Sequence, residues 1–177
     1  MRMMMALCFT FALPLSGAAQ NIDYTRITSL TAGVVCGPPV IGSSPAPDTI
    51  AGTTHIVAED PPFIAEITQV PAVLGIGFGV KAQAMNPDGL SDVTINVTHP
   101  PMGRGGITQQ SYQTWISGAD TSMSFYQFDE EYERVTGTWT FTASHAGDEL
   151  FSVSFDVVPP TALPELAEAC GYLDLLS

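Results

Sequence analysis

The segment VTGTWTFTASHAGDELFSVSFDVV, residues Val135 to Val158, decides the fold. Val135, Trp139, Phe141 and Ala143 alternate with Thr138, Thr140, Thr142 and Ser144. Beyond it, Phe151, Val153, Phe155 and Val157 alternate with Ser152, Ser154 and Asp156. Period-two alternation of aromatic and β-branched residues predicts two strands, each with one apolar face. Ala146-Gly147-Asp148 between them is turn chemistry, so the pair forms a hairpin lying on a core.

Upstream, the same signals recur at short spacing. Strands are predicted at Ile22–Leu30, continuing apolar to Cys36, and at Thr53–Glu59. Pro71–Met85 is the longest candidate, with Leu74, Ile76, Phe78 and Val80 on one face. Gly75, Gly77, Gly79 and Lys81 occupy its other face, which predicts close packing under another segment or a flat surface for a partner. Further strands follow near Val93–Thr98, Ile107–Ile116 and Met123–Phe128. Gly42–Gly52 has Ser, Pro and Gly without a period and reads as a long surface loop. Pro-Pro pairs at 38–39, 61–62, 100–101 and 159–160 each follow a strand-like segment, where they stop the ladder. About eight strands so arranged predict an all-β, two-sheet sandwich. After Val158, Thr161 is placed to cap a helix with Pro164 in its first turn. Leu163, Leu166, Ala167 and Cys170 share one face of that helix, and Gly171 is its natural stop before the apolar tail Tyr172–Leu176.

The N-terminus reads as a signal peptide over residues 1–19. Arg2 supplies the positive end, Met3–Leu15 the apolar run, and Ser16-Gly17-Ala18-Ala19 the small-residue cleavage site. Residues 20–177 then form a single domain, with its helix from about residue 161. No later segment is apolar over a membrane-spanning length. Arg26, Lys81, Arg104 and Arg134 face eighteen acidic residues, and the whole chain carries a formal net charge of −13. That surface repels nucleic acid and anionic lipid. Cys36 and Cys170 are the two cysteines outside the leader; in a periplasmic or secreted protein they predict a disulfide across almost the whole domain.

Gly137-Thr138-Trp139-Thr140-Phe141 resembles the start of the penultimate strand of immunoglobulin-like domains. Trp139 stands where a corner tyrosine is common, and Phe141 where antibody domains place a cysteine. A broader resemblance runs through AGTTHIVAEDPPF, VPAVLGIGFGV, VTHPPMG, FYQFDEEYERVTGTW and VVPPTALPELAEACGY. These segments resemble bacterial domain-of-unknown-function family 3859. The resemblance implies an exported immunoglobulin-like sandwich and supplies no catalytic or binding residue.

Candidate chemistry is sparse. His55, His99 and His145 have no metal-ligand spacing, and the chain lacks H-E-x-x-H and G-x-S-x-G. A hydrolase would need a site assembled wholly from separate loops, so no enzyme and no cofactor is expected. Asp129, Glu131 and Glu133 would share a side of an extended segment, a weak calcium arrangement against the simpler reading of a solvated acidic turn. The strongest binding candidates are the aromatics Tyr112, Trp115, Tyr126 and Phe128, in two adjacent segments. Exposed, they would stack on sugar rings or anchor a protein; otherwise they are covered. The expected function is a non-catalytic exported module that binds or scaffolds an envelope protein, with polysaccharide binding as the alternative.

Overall fold

The computed structural model describes residues 20–170. The predicted leader, Gly171 and the tail Tyr172–Leu176 lie outside the described residues. Two sheets face each other. The larger contains β1 (Gln20–Ile22), β11 (Asp148–Val158), β10 (Gly137–His145), β7 (Leu90–Met102) and β8 (Ile107–Ile116), in that order, and β5 (Gln69–Pro71) pairs in parallel with β11. The smaller has the order β2 (Ile27–Cys36), β6 (Ile76–Ala84) and β9 (Ser122–Gln127). A separate hairpin joins β3 (Val40–Pro45) to β4 (Thr53–Val57).

The β10–β11 hairpin turns at Ala146 and Gly147, both at positive φ (54° and 90°). Such a turn matches the twist of the flanking strands. Trp139, Phe141, Ala143, Phe151, Val153 and Phe155 are all buried, as the alternation predicts. Phe78 of β6 meets them from the opposite sheet, with ring centroids 5.2 Å from Phe155, 5.5 Å from Trp139 and 5.8 Å from Phe141. Each such fully buried side chain contributes about 1.5–3 kcal/mol. The outer face carries Thr140 paired with Ser154 at 3.0 Å and Thr142 with Ser152 at 3.4 Å. Trp139 Nε1 donates to the Val135 carbonyl at 3.0 Å, tying the start of β10 back to the preceding loop. This is the bond a corner tyrosine makes in immunoglobulin domains.

The disulfide forms as predicted: Cys36, at the end of β2, bridges Cys170, with Cα atoms 5.3 Å apart. Its sequence separation of 134 residues puts it among loops that restrict the unfolded chain by about 4–5 kcal/mol in the entropy model.

Four expectations about local structure need correction. The first strand does not run through Ile22–Leu30: Asp23 Oδ1 accepts from both the Thr25 amide and hydroxyl, at 2.9 and 2.6 Å, and turns the chain between β1 and β2. Pro100 and Pro101 lie inside β7, not beyond it. The pairing with β8 is irregular between Thr98 and Met102, so the missing N–H groups fall where the ladder is already interrupted. Gly42–Gly52 is not all loop, because Val40–Pro45 pairs with Thr53–Val57. Finally, Thr161 is not the helix cap. Pro160 starts a 3₁₀ turn, Pro160–Ala162, and α1 (Pro164–Glu168) begins after Leu163, with Pro164 in its first turn as expected.

The glycine face of β6 is covered. Gly79 pairs with Gly33 of β2, and a Cβ on Gly33 would come within 2.6 Å of both Phe63 and the Ala65 carbonyl. A Cβ on Gly79 would come within 2.1 Å of the Ser124 carbonyl of β9. Lys81 Nζ lies 5.2 Å from the centre of the Phe63 ring, closing the segment over the sheet. Of the two readings of these glycines, close packing holds, and the surface is not free for a partner.

Candidate functional site

Strands β8 and β9 are the last strands of their respective sheets, so two sheet edges meet on one flank of the sandwich. The β3–β4 hairpin arches over that flank. Beneath it lies a cleft of about 560 Å³, within the size range of small-molecule sites, about 300–1,000 Å³. Thr53, Thr54 and His55 form its roof, Gln113 and Thr114 one wall, and Phe125 and Gln127 the other. Asp129, Glu130 and Tyr132 close one end.

The hairpin acts as a strap held by polar contacts. Its tip loop donates the Ile50 amide to Gln110 Oε1 at 2.8 Å, and the Asp48 carbonyl accepts the Ser111 amide at 3.2 Å. Its second arm pairs His55 Nε2 with Asp129 Oδ2 at 2.7 Å. Asp129 Oδ1 accepts from Gln127 at 2.7 Å, so both oxygens of this carboxylate are engaged. The hairpin itself buries little: Ile41 is 65 % exposed, and Val40 and Ile56 are also exposed.

A relay of hydrogen bonds runs from the core to the strap. His99 is buried against the Trp139 ring, centroids 4.7 Å apart. Its Nδ1 lies 2.8 Å from the Pro100 carbonyl and therefore carries the proton. Nε2 then accepts from Gln110 Nε2 at 3.3 Å, and Gln110 Oε1 accepts from Ile50. Burial holds the His99 ring below the usual histidine range, against the opposing pull of the Pro100 hydrogen bond and the Glu133 charge.

Beside this relay, Tyr126 donates its hydroxyl to Glu133 at 2.7 Å. The buried Glu133 carboxylate also accepts the backbone N–H groups of Asp129 and Glu130, at 2.7 and 2.9 Å. Burial, then the Glu133 charge, pushes the Tyr126 hydroxyl well above its ordinary value. Burial likewise pushes Tyr112 up to about 12, partly offset by a hydrogen bond with Ser124.

The four aromatic candidates do not form one surface. Tyr112 and Tyr126 line the cleft. Phe128 is fully buried, 5.4 Å from Phe78 and 5.8 Å from Trp139, and belongs to the core. Alternation along β9 already put Phe128 on the same side as Tyr126; the inward side is simply the buried one. Trp115 is 51 % exposed, stands outside the cleft and packs over Gly89, where a Cβ would come within 2.6 Å of the indole Nε1.

The acidic run is not extended. Glu131–Glu133 is a 3₁₀ turn, so its carboxylates diverge. Glu131 pairs with Arg134 at 3.1 Å, Glu133 turns inward, and Asp129 serves the strap. The histidines do not converge either. His55 is on the strap, His99 is internal with both ring nitrogens engaged, and His145 contacts the Arg26 guanidinium. What sequence reasoning missed is Gln110, Thr54 and the pairing of His55 with Asp129. The one signal was Gln110 itself, a polar residue at an inward position of an otherwise aromatic and β-branched register of β8.

Comparison with known proteins agrees with this architecture. An immunoglobulin-like protein from Pseudomonas aeruginosa superposes with a TM-score of 0.52 and 23 % sequence identity, covering 81 % of this chain and 99 % of the other. The two share the fold, an immunoglobulin-like β-sandwich. Curated proteins yield no match. A family model described as a domain of unknown function (DUF3859) matches residues 27–157, and the chain belongs to that family.

Proposed function

We propose that this protein is an exported, non-catalytic binding module that holds another component of the cell envelope in the cleft beneath the β3–β4 strap. The observation that carries the reading is the cleft itself, about 560 Å³ between two sheet edges and roofed by a hairpin with no core of its own. Concave, partly apolar sites of this size with a few convergent polar groups are where proteins bind small ligands. The leader-like residues 1–19 and the Cys36–Cys170 bridge support a periplasmic or secreted location. Two of the groups that could do acid–base work in the cleft are held in structural contacts: His55 with Asp129, and Glu133 with Tyr126 and two backbone amides. This supports binding over catalysis.

Site-specific photo-crosslinking in intact cells tests the reading. A photoreactive residue at Gln113, inside the cleft, is expected to give a discrete adduct in the envelope fraction. One at Thr142, on the outer face of the larger sheet, is expected to give none. The same adduct from both positions, or none from Gln113, overturns the proposal.

A further inference from the structure

We infer that the cleft takes a short, uncharged oligosaccharide, held through hydroxyl and amide side chains against Phe125 and Tyr132. This rests on the cleft being the working surface and names the chemistry of what fills it.

Charge sets the first limit. Among the described residues lining the cleft there is no Lys or Arg, and the chain is strongly acidic. Phosphorylated, sulfated or uronic-acid ligands would meet repulsion without a partner. A cationic ligand is also disfavoured. Asp129 has both oxygens engaged by His55 and Gln127, and Glu133 already accepts three hydrogen bonds. Glu130, the third carboxylate on the wall, caps the Glu131–Glu133 turn with its side chain, which leaves too little free charge to desolvate and hold a cation.

Hydrogen-bonding capacity sets the second. Gln113 commits one amide N–H to Thr94 at 2.8 Å, and Gln127 commits one to Asp129. Their carbonyl oxygens remain as acceptors, with Glu130 beside them. Thr53, Thr54 and Thr114 add hydroxyls that rotate to donate or accept. A wall rich in acceptors, interspersed with adaptable hydroxyls, matches a ligand that presents many O–H donors. Phe125 and Tyr132 supply ring faces for the C–H faces of a pyranose, and Tyr132 is 39 % exposed.

The third limit separates sugar from peptide. An added strand needs a free run of backbone donors and acceptors on a sheet edge. Here each edge is interrupted: the Asp48 carbonyl takes the Ser111 amide of β8, and Asp60 Oδ2 takes the Met123 amide of β9 at 3.1 Å. The ligand is therefore read by side chains.

The test is a set of NMR titrations of the oxidised chain from residue 20 with cellotetraose, maltotetraose, mannotetraose and chitotetraose. Two controls are a tetragalacturonate and an extended Ser/Thr-rich nonapeptide. At least one neutral sugar is expected to shift the Thr54, Gln113 and Gln127 amides saturably, with Phe125→Ala weakening binding at least tenfold. Because Phe125 is partly buried, Gln113→Ala is the second variant, expected to weaken binding several-fold with unfolding unchanged. No saturable shift from any neutral sugar overturns the inference. So does equal or tighter binding of the uronate, or of the nonapeptide. If the sugars fail while the Gln113 photo-crosslink persists, the cleft still binds an envelope component and only the ligand class is wrong; if both fail, the cleft reading falls too.

Discussion

Two antiparallel hairpins of this protein are built on opposite principles. The β10–β11 hairpin buries Trp139, Phe141, Phe151, Val153 and Phe155 and forms the centre of the larger sheet. The β3–β4 hairpin pairs just as regularly but stands apart from both sheets, with its apolar residues Val40, Ile41 and Ile56 exposed. A two-stranded hairpin without a buried face is marginal in water. The strap therefore keeps its place by the His55–Asp129 pair and the contacts around Gln110 and Ser111, whereas the core hairpin is held by close packing. Local stability should differ accordingly, with the low end over the cleft.

The largest effect tests the contrast directly. Phe141→Ala removes a fully buried ring that packs 5.8 Å from Phe78 and 5.6 Å from Phe155. It is expected to cost about 3–5 kcal/mol in urea unfolding. The matched change in the strap, Ile56→Ala, is expected to stay within about 0.5 kcal/mol. A comparable loss from both would mean that the strap is part of the cooperative core and that the two hairpins do not differ in kind.

The same contrast explains what could be read from the sequence. β10 and β11 were legible because one buried face imposes a period of two on side-chain polarity. The disulfide was legible because two cysteines leave one pairing. Only half of the strap was: β4 was expected within Thr53–Glu59, but Gly42-Ser43-Ser44-Pro45 has no alternation, since neither face of β3 is buried. Its strand character comes from pairing with β4, and that pairing leaves no mark on composition. The candidate site was only half legible for a related reason. Tyr112 and Tyr126 stood out as aromatics, but the residues that shape the cleft around them are threonines and glutamines, ordinary on any exposed strand. Phe128 and Trp115 drew the same attention as Tyr126, because aromatic content alone does not say which face of an edge strand points inward.

An intermediate effect is expected where the two regions are joined. His99 is neutral in the folded protein because burial lowers its pKa from the ordinary 6.5. The unfolded chain then binds more protons than the folded one below that value. Stability is therefore complete above about pH 6.5 and falls as the pH drops through the window beneath it. His99→Gln, which does not titrate, should flatten that part of the unfolding profile relative to the parent. Protonation also changes Nε2 from acceptor to donor, so Gln110 must turn its carbonyl toward His99 and release the Ile50 amide. The Ile50 amide proton resonance should move upfield over the same pH window, and a resonance that stays fixed while His99 titrates would break the link between core and strap.

The smallest effect on stability is expected at the other fastening of the strap, and there the local readout matters more than the global one. The His55–Asp129 pair is 2.7 Å long, but both side chains are about 40 % exposed. Pairs of this kind contribute about 0–1 kcal/mol, because solvent screens the attraction and two side chains must be held still. Asp129→Asn removes the charge and leaves one acceptor where two partners, His55 and Gln127, now share two oxygens. The urea midpoint should barely move. Deuterium uptake across residues 40–57 should nonetheless rise several-fold, because a segment with no buried face opens by losing only its few polar contacts. Uptake in β10 and β11 should stay at the parental level, since neither strand touches the pair. Unchanged uptake in the strap would mean that the Gln110 and Asp48 contacts hold it alone. A parallel rise in β10 and β11 would mean instead that opening the strap unfolds the sandwich, and the separation between a packed hairpin and a fastened one would be lost.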